Sequence, residues 1–417
     1  MNRLTLVGNG FDLAHGLKTS YKDFLIWYLA ECFGKVDPYK FDYHDEFVSA
    51  RISHPINFEK LVRNWIPESS KAFLLEKKEI KSFIELCYNQ VLFDALIFED
   101  DLTDLDYVSI NSNLTRKELY SETNANIRID INCDFFSRII SSCIENNWVD
   151  IENEYFEVLK KCKNEEGEFD FNKVNQLNYK LDLLKKKLES YLKIEQKNNE
   201  IMVNNKIVQL INEAFKLSDF EPALKGVSDF RCKKILGLDG IEKENPTVLY
   251  VLNFNYTNTL SDYLDSVQSN SHKVEINHIH GELNNTKNPI IFGFGDEHDK
   301  EYLTFEEQGN NDLFTHIKSY QYFNTPNYRN LVRFLNSDDY QVYIMGHSCG
   351  LSDRTMFKEI FDHENCKSVK IFHYESSPGV NDFWEKTVNL GRHFSDKGRM
   401  RKLIVEFDEA NAFPQCN

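Results

Sequence analysis

Histidines fall unevenly along this 417-residue chain: three of the twelve precede residue 55, none lies between 55 and 271, and nine follow. The middle therefore carries no imidazole chemistry. In the C-terminal part, His278-Ile279-His280-Gly281 places two imidazoles two residues apart. In a strand they would face the same side, which suits a metal or a general base titrating near neutrality. Gly346-His347-Ser348-Cys349-Gly350 spells G-x-S-x-G after an apolar run, the pattern of a hydrolase nucleophile elbow. Asp353, Asp362 or Asp382 with His373 or His393 would complete the order serine, acid, histidine. Against this, an elbow serine leads directly into its helix, whereas Gly350-Leu351-Ser352-Asp353 intervenes here, with Ser352 or Asp353 the better cap. A metal-based hydrolase would draw instead on His278, His280 and His298.

Two further segments carry polar groups where a ligand could sit. Gly8-Asn9-Gly10-Phe11-Asp12 follows a short apolar run. Glycines there would let backbone N–H groups approach a pyrophosphate, and a branched side chain at Gly10 would fill the phosphate's space. The third glycine of the dinucleotide fingerprint is missing, and Asp12 is placed to contact a ribose hydroxyl or a loop amide. Asn253 and Asn255 stand at the end of another apolar run, either as turn-forming residues or at the edge where open α/β sheets bind ligands.

Elements able to position these groups can be read from the patterning. Leu4, Leu6 and Val7 form a short buried strand followed by a glycine turn and a helical segment, the opening of a nucleotide-binding βαβ unit. Val248–Leu252, Val274–His280, Pro289–Phe292, Tyr340–Met345, Val369–Tyr374 and Lys402–Phe407 read as further strands, with a helix beginning near Asp353. Between them the chain is mostly helical. Val174, Leu177, Leu181, Leu184, Leu188 and Tyr191 make one apolar seam, and Trp148, Ile151, Tyr155, Leu159 and Cys162 another. Lys185-Lys186-Lys187 reads as a solvated face, and Glu99–Asp106 and Gln196–Asn205 as loops. The expectation is an α/β fold: a Rossmann parallel sheet with helices on both faces, split between residues 1–30 and 236–417, with a mostly helical lobe inserted at 31–235. A strand with no polar face belongs at the centre of that sheet, so Leu4–Val7 should neighbour Val248–Leu252 or Tyr340–Met345.

Composition excludes several classes. A 41% hydrophobic, 28% charged chain can bury a core, and a net charge of −17 disfavours a nucleic-acid partner. No window approaches the roughly 20 apolar residues of a membrane span, and the opening is too weakly apolar for a signal peptide. The nine cysteines are scattered without a C-x-x-C, as expected of reduced thiols in a cytoplasmic protein without a zinc ribbon.

Taken in order, Leu6-Val7-Gly8-Asn9-Gly10-Phe11-Asp12-Leu13-Ala14-His15-Gly16 with Thr19-Ser20-Tyr21 and Phe24, then Leu252-Asn253-Phe254-Asn255-Tyr256-Thr257, His278-Ile279-His280-Gly281, Ile291-Phe292-Gly293-Phe294-Gly295 and Gly346-His347-Ser348, the chain resembles the bacteriophage abortive-infection AbiH family. The likeness covers both ends and little of the middle. That family in turn resembles a distant branch of the sirtuin-like Rossmann proteins, which bind NAD. The resemblance implies Gly8-Asn9-Gly10 as the glycine loop, and Asn255 and His280 as the catalytic pair of an NAD-cleaving enzyme. It also implies Gly346-His347-Ser348 as a nucleotide-contacting strand end, and the expected contacts extend to Phe11, Asp12, Asn253 and Asp353. Thr257 stands where the sirtuin-like pattern has aspartate, and the C-x-x-C zinc module is missing, which argues against a protein deacetylase. The expectation is NAD, or a related nucleotide, as substrate or ligand without a metal. A non-catalytic nucleotide sensor of the same fold is the alternative. A phage-derived trigger or a second copy of the chain is the expected partner.

Overall fold

The computed structural model describes residues 1–35, 42–53, 126–146, 149–220, 245–263 and 273–416. By internal contacts the chain divides into two units, Met1–Thr19 with Leu192–Asn417, and Ser20–Tyr191.

The first unit is built on five parallel strands: β1 (Asn2–Val7), β2 (Val248–Asn253), β3 (Lys273–His278), β4 (Tyr340–Met345) and β5 (Cys366–Phe372), in the spatial order β3-β2-β1-β4-β5. This is the α/β, Rossmann-like architecture expected. β1 is central and pairs with both β2 and β4. Every residue of β1 is buried, as a strand covered on both faces requires. Register brings Val7, Asn253, His278, Met345 and Phe372 into one row, so all five strands end together.

Side chains alternate between two cores. Leu4, Leu6, Leu252, Val342 and Ile344 face one, against helix α2 (Asn327–Leu335) and helix α3 (Arg354–Asp362) through Leu331, Phe334, Phe357 and Ile360. Val7, Val251, Tyr343 and Met345 face the other, with Phe11 and Ala14 of the short helix Asn9–Ala14 and with Ile207 and Ile211. Burying each such aliphatic side chain contributes about 1.5 to 3 kcal/mol. Both sheet faces are therefore covered. Arg3 is the exception in β1: its guanidinium is buried, stacked over the Tyr343 ring at 4.1 Å and hydrogen-bonded to the Ile211 carbonyl.

Two expected strands are absent. Residues 289–292 form no strand, and the Ile291 amide is taken by the His280 carbonyl. Residues 402–407 belong instead to the end of helix Lys397–Leu403 and a single bridge from Ile404 to Val369. β3 also stops at His278, so His280 lies in the turn beyond it and the two imidazoles do not share a strand face.

In the second unit, helices Tyr21–Gly34, Asp134–Asn146 and Ile151–Leu159 accompany the helix Phe171–Asn198, which begins there. The expected seam from Val174 to Tyr191 is buried throughout, as are Ile151, Tyr155, Leu159 and Cys162. Trp148 and residues 99–106 lie outside the described residues. Three short antiparallel strands, Asp42–His44, Val48–Ser53 and Asn126–Ile131, were not anticipated in this mostly helical stretch. The lysine run is not uniformly solvated either: Lys187 pairs with Asp45 at 2.9 Å and lies over the Tyr28 ring. No helix among the described residues is long and apolar enough to cross a membrane.

Candidate functional site

All the sequence-selected segments except Asp353 leave the carboxyl edge of the sheet or lie within one helical turn of it, and Asp353 joins them through His280. Their closeness has a cost that glycine meets. Gly8 N–H donates to the Met345 carbonyl and Gly10 N–H to the Gly346 carbonyl at 2.7 Å, which stitches the turn after β1 to the turn after β4. A Cβ on Gly10 would lie 2.8 Å from Gly346 Cα, and one on Gly8 would strike His347. Gly346 has φ +71°, a conformation glycine adopts freely, and a Cβ there would meet the Phe11 amide. Gly10 is thus required by the neighbouring backbone, and the space beside its Cα is not left open for a phosphate. Phe11 is core, packed against Tyr263 and Phe413, while Asn9 is exposed and its side chain accepts from Thr19 Oγ1 at 2.6 Å.

Behind this stitch lies a buried polar layer. Asn255 Nδ2 donates to the Gly8 carbonyl at 3.1 Å, and the Asn255 amide donates to Asn253 Oδ1. Asn253 Nδ2 in turn lies 3.2 Å from His278 Nδ1. Asp12 reaches the same layer from its helix: Thr257 Oγ1 donates to Asp12 Oδ2, and Asp12 Oδ1 is buried without a hydrogen-bond partner. Burial pushes the Asp12 carboxyl up to about 6 against the opposing hydrogen bonds from Thr257, Thr259 and Asn255.

His280 is organised differently. It is 5% exposed, with Nε2 3.0 Å from Asp353 Oδ1 and 3.2 Å from the Tyr322 hydroxyl. The fully buried Lys318 ammonium donates to the same Asp353 oxygen at 3.0 Å. Burial alone would raise the Asp353 carboxyl, but the charge of Lys318, and then the contact with His280, hold it far below the usual carboxylate range. Burial also lowers His280, outweighing the pull of Asp353, which favours the neutral ring hydrogen-bonded to the carboxylate. A neutral ring donating from Nε2 keeps its lone pair on Nδ1, which has no partner among the described residues. A carboxylate fixing the tautomer of a base is the arrangement that general-base catalysis uses. Asp353, expected at the nucleotide, therefore contacts His280. Lys318 and Tyr322 were not anticipated, since nothing in the local sequence marks a lysine whose carboxylate partner lies 35 positions away.

His347 lies behind Phe254 at a ring separation of 4.3 Å, its Nδ1 accepting from the Cys349 amide. Burial pushes it down to about 3. The hydrolase elbow is not formed. The strained residue with positive φ is Cys349 and not Ser348, and no hydrogen bond joins Ser348 to a histidine. His393 is occupied by the Cys349 carbonyl, and burial lowers it to about 4. His278, His280 and His298 form no metal-binding group among the described residues.

A cavity of about 380 Å³ opens beside the stitch, lined by Gly10, Gly346 and Ser348 and, from the end of β5 onward, by Tyr374, Asp382 and Lys386. It lies where the order of the sheet reverses, between β1 and β4, the crevice in which open α/β sheets hold ligands. Lys386 is buried there, bonded to the Phe372 carbonyl and to Asp382. Of the selected residues, Gly10, Gly346 and Ser348 share this cavity, His280 and Asp353 share one hydrogen bond, and Asn253, Asn255, Gly8 and Asp12 form the layer behind.

Among protein families, the one described as "Bacteriophage abortive infection AbiH" matches residues 4–374. No curated protein and no solved structure matches the chain.

Proposed function

The chain belongs to the bacteriophage abortive-infection AbiH family, which supports an anti-phage role, and we propose that it fills that role by binding NAD or a related nucleotide and hydrolysing its nicotinamide–ribose bond. The observation that carries this reading is the cavity at the β1/β4 reversal, lined by Gly10, Gly346 and Ser348. Ser348 and Lys386 would meet ribose and phosphate oxygens there. The stitched glycines would hold the floor without reorganising.

His280 is the base in this reading. Its Nδ1 would take a proton from water as the water oxygen bonds to the ribose anomeric carbon. The bond to nicotinamide breaks, and nicotinamide leaves with the electron pair as a neutral molecule. Asp353 would stabilise the imidazolium so formed, as it already fixes the tautomer. Asn255 would position the attacking water or the ribose from behind Gly8. Loss of NAD in the cytoplasm would halt an infected cell, with a phage product or self-association as the trigger.

The test follows nicotinamide release from NAD and, separately, NAD affinity. His280→Ala and Asn255→Ala should each lower release by about 100-fold or more while retaining most affinity. The double variant should be little worse than either, because the two act in one step. Release at the parental rate by folded His280→Ala protein overturns the catalytic assignment. NAD binding by the parent without any release would make it a nucleotide sensor.

A further inference from the structure

A larger cavity, of about 680 Å³, lies elsewhere in the same unit, between the loop at Gly295, the segment from residue 319 to 333 and the start of α3. Three kinds of group converge on it. Arg329 and Arg333 stand four residues apart on α2, and both line the cavity. Arg333 donates only to Asn330, and Arg329 has no hydrogen bond or ion pair among the described residues. Two guanidiniums one helical turn apart repel each other, and an anion between them removes that cost. Their planar forks suit the oxygens of a phosphate in particular.

The second kind is aromatic. Tyr322 and Tyr328 lie with ring centroids 5.4 Å apart and nearly parallel, and Phe323 beside them is 83% exposed. A large ring left in water at a cavity wall offers a face on which a planar ligand can stack. The third kind accepts hydrogen bonds. Lys318 and His280 both reach Asp353 through Oδ1, and Oδ2 accepts from nothing among the described residues. Glu297 adds a second carboxylate to the wall. Acidic groups at one place and guanidiniums at another disfavour a bare anion and favour a ligand with donors at one end and negative charge at the other.

We propose that this cavity binds a nucleoside monophosphate. Its phosphate lies between Arg329 and Arg333, its base stacks on Phe323 or Tyr328, and its ribose hydroxyls donate to Asp353. The site shares no lining residue with the β1/β4 crevice, although Asp353 on its wall is also the partner of His280, and AMP binding there requires no cleavage.

The experiment is calorimetric titration of the full chain with AMP, adenosine and inorganic phosphate, for the parent and for the variant Arg329→Gln/Arg333→Gln. Both arginines are solvent-facing, so the variant should fold, and circular dichroism checks that it does. The expected result is AMP binding by the parent that the variant weakens at least tenfold. Adenosine should bind far more weakly, and phosphate should compete only at much higher concentration. Absence of AMP binding by the parent, or equal affinity in parent and folded variant, overturns the proposal. Phosphate competing as well as AMP overturns its nucleoside part. The variant's nicotinamide release, where the parent shows any, should stay parental; its loss would place the arginines in the cleavage site instead. Because AMP binding is read without turnover, absence of NAD cleavage leaves this test intact.

Discussion

Asp12 and Thr257, 245 positions apart in the chain, share a hydrogen bond of 2.6 Å in the buried layer behind the carboxyl edge of the sheet. Thr257 thus has a carboxylate against it, delivered by the helix after β1.

Burial raises Asp12 to about 6, so the folded protein binds this proton more tightly than the unfolded chain. Stability from this group is present below about pH 4 and is lost as pH rises through about 6. Asp12→Asn removes that titration. Relative to the parent, the variant should gain up to about 3 kcal/mol between pH 4 and pH 7, read by urea unfolding at both values. A difference between the two proteins that does not change with pH would show the carboxyl to be unperturbed.

Gly10 faces backbone, so its replacement should act on folding before it acts on any ligand. Gly10→Val is expected to lose about 1 to 3 kcal/mol or more, since Gly346 cannot withdraw without breaking the stitch. Thermal unfolding of the variant measures this. A fully stable Gly10→Val protein would mean that the two turns separate readily.

Acid should destabilise the protein through its buried imidazoles. His347 and His393 are pushed by burial to about 3 and about 4, below the ordinary histidine value. The unfolded chain therefore binds more protons as pH falls below about 6.5, and each ring removes up to about 1.4 kcal/mol of stability per pH unit until its own folded value is reached. His393→Gln keeps a donor for the Cys349 carbonyl and should flatten the decline between pH 6 and 4.5 by about that slope. A decline as steep as the parent's would place the sensitivity elsewhere.

Ser348 distinguishes ligand contact from nucleophile. Ser348→Ala should weaken nucleotide binding by about 0.5 to 1.5 kcal/mol, the worth of one neutral hydrogen bond, and leave any turnover at saturating nucleotide largely intact. A serine-directed phosphonate should not label the parent. Labelling, or loss of turnover by several orders of magnitude with affinity intact, would restore the hydrolase reading.

What could be read beforehand was whatever depends on a local pattern. β1 declares itself by Leu4, Leu6 and Val7 ahead of the glycine turn, which predicts a buried strand flanked on both sides. The long seam from Val174 to Tyr191 was legible for the same reason, a period sustained over many turns. Residues 402–407 misled because a short apolar alternation fits the end of an amphipathic helix as well as a strand. The surroundings of His280 were invisible in a deeper sense. Its place after β3 could be guessed, but its partners Asp353, Tyr322 and Lys318 come from connections whose paths the sequence does not specify. Close approach was the expected reason for the glycine loop, and the group that approaches Gly10 is β4's own turn.

The pairing of β1 with β4 also sets a clock on biosynthesis. Val7 lies beside Met345, so the crevice between them cannot exist until about 340 further residues have left the ribosome. At about 5 to 20 residues per second this takes roughly 20 to 70 s. Until then the central strand of the sheet has no neighbour on that side and must be shielded by other means. A chain cut short before β4 would lack the crevice altogether, so a half-made copy cannot hold anything there.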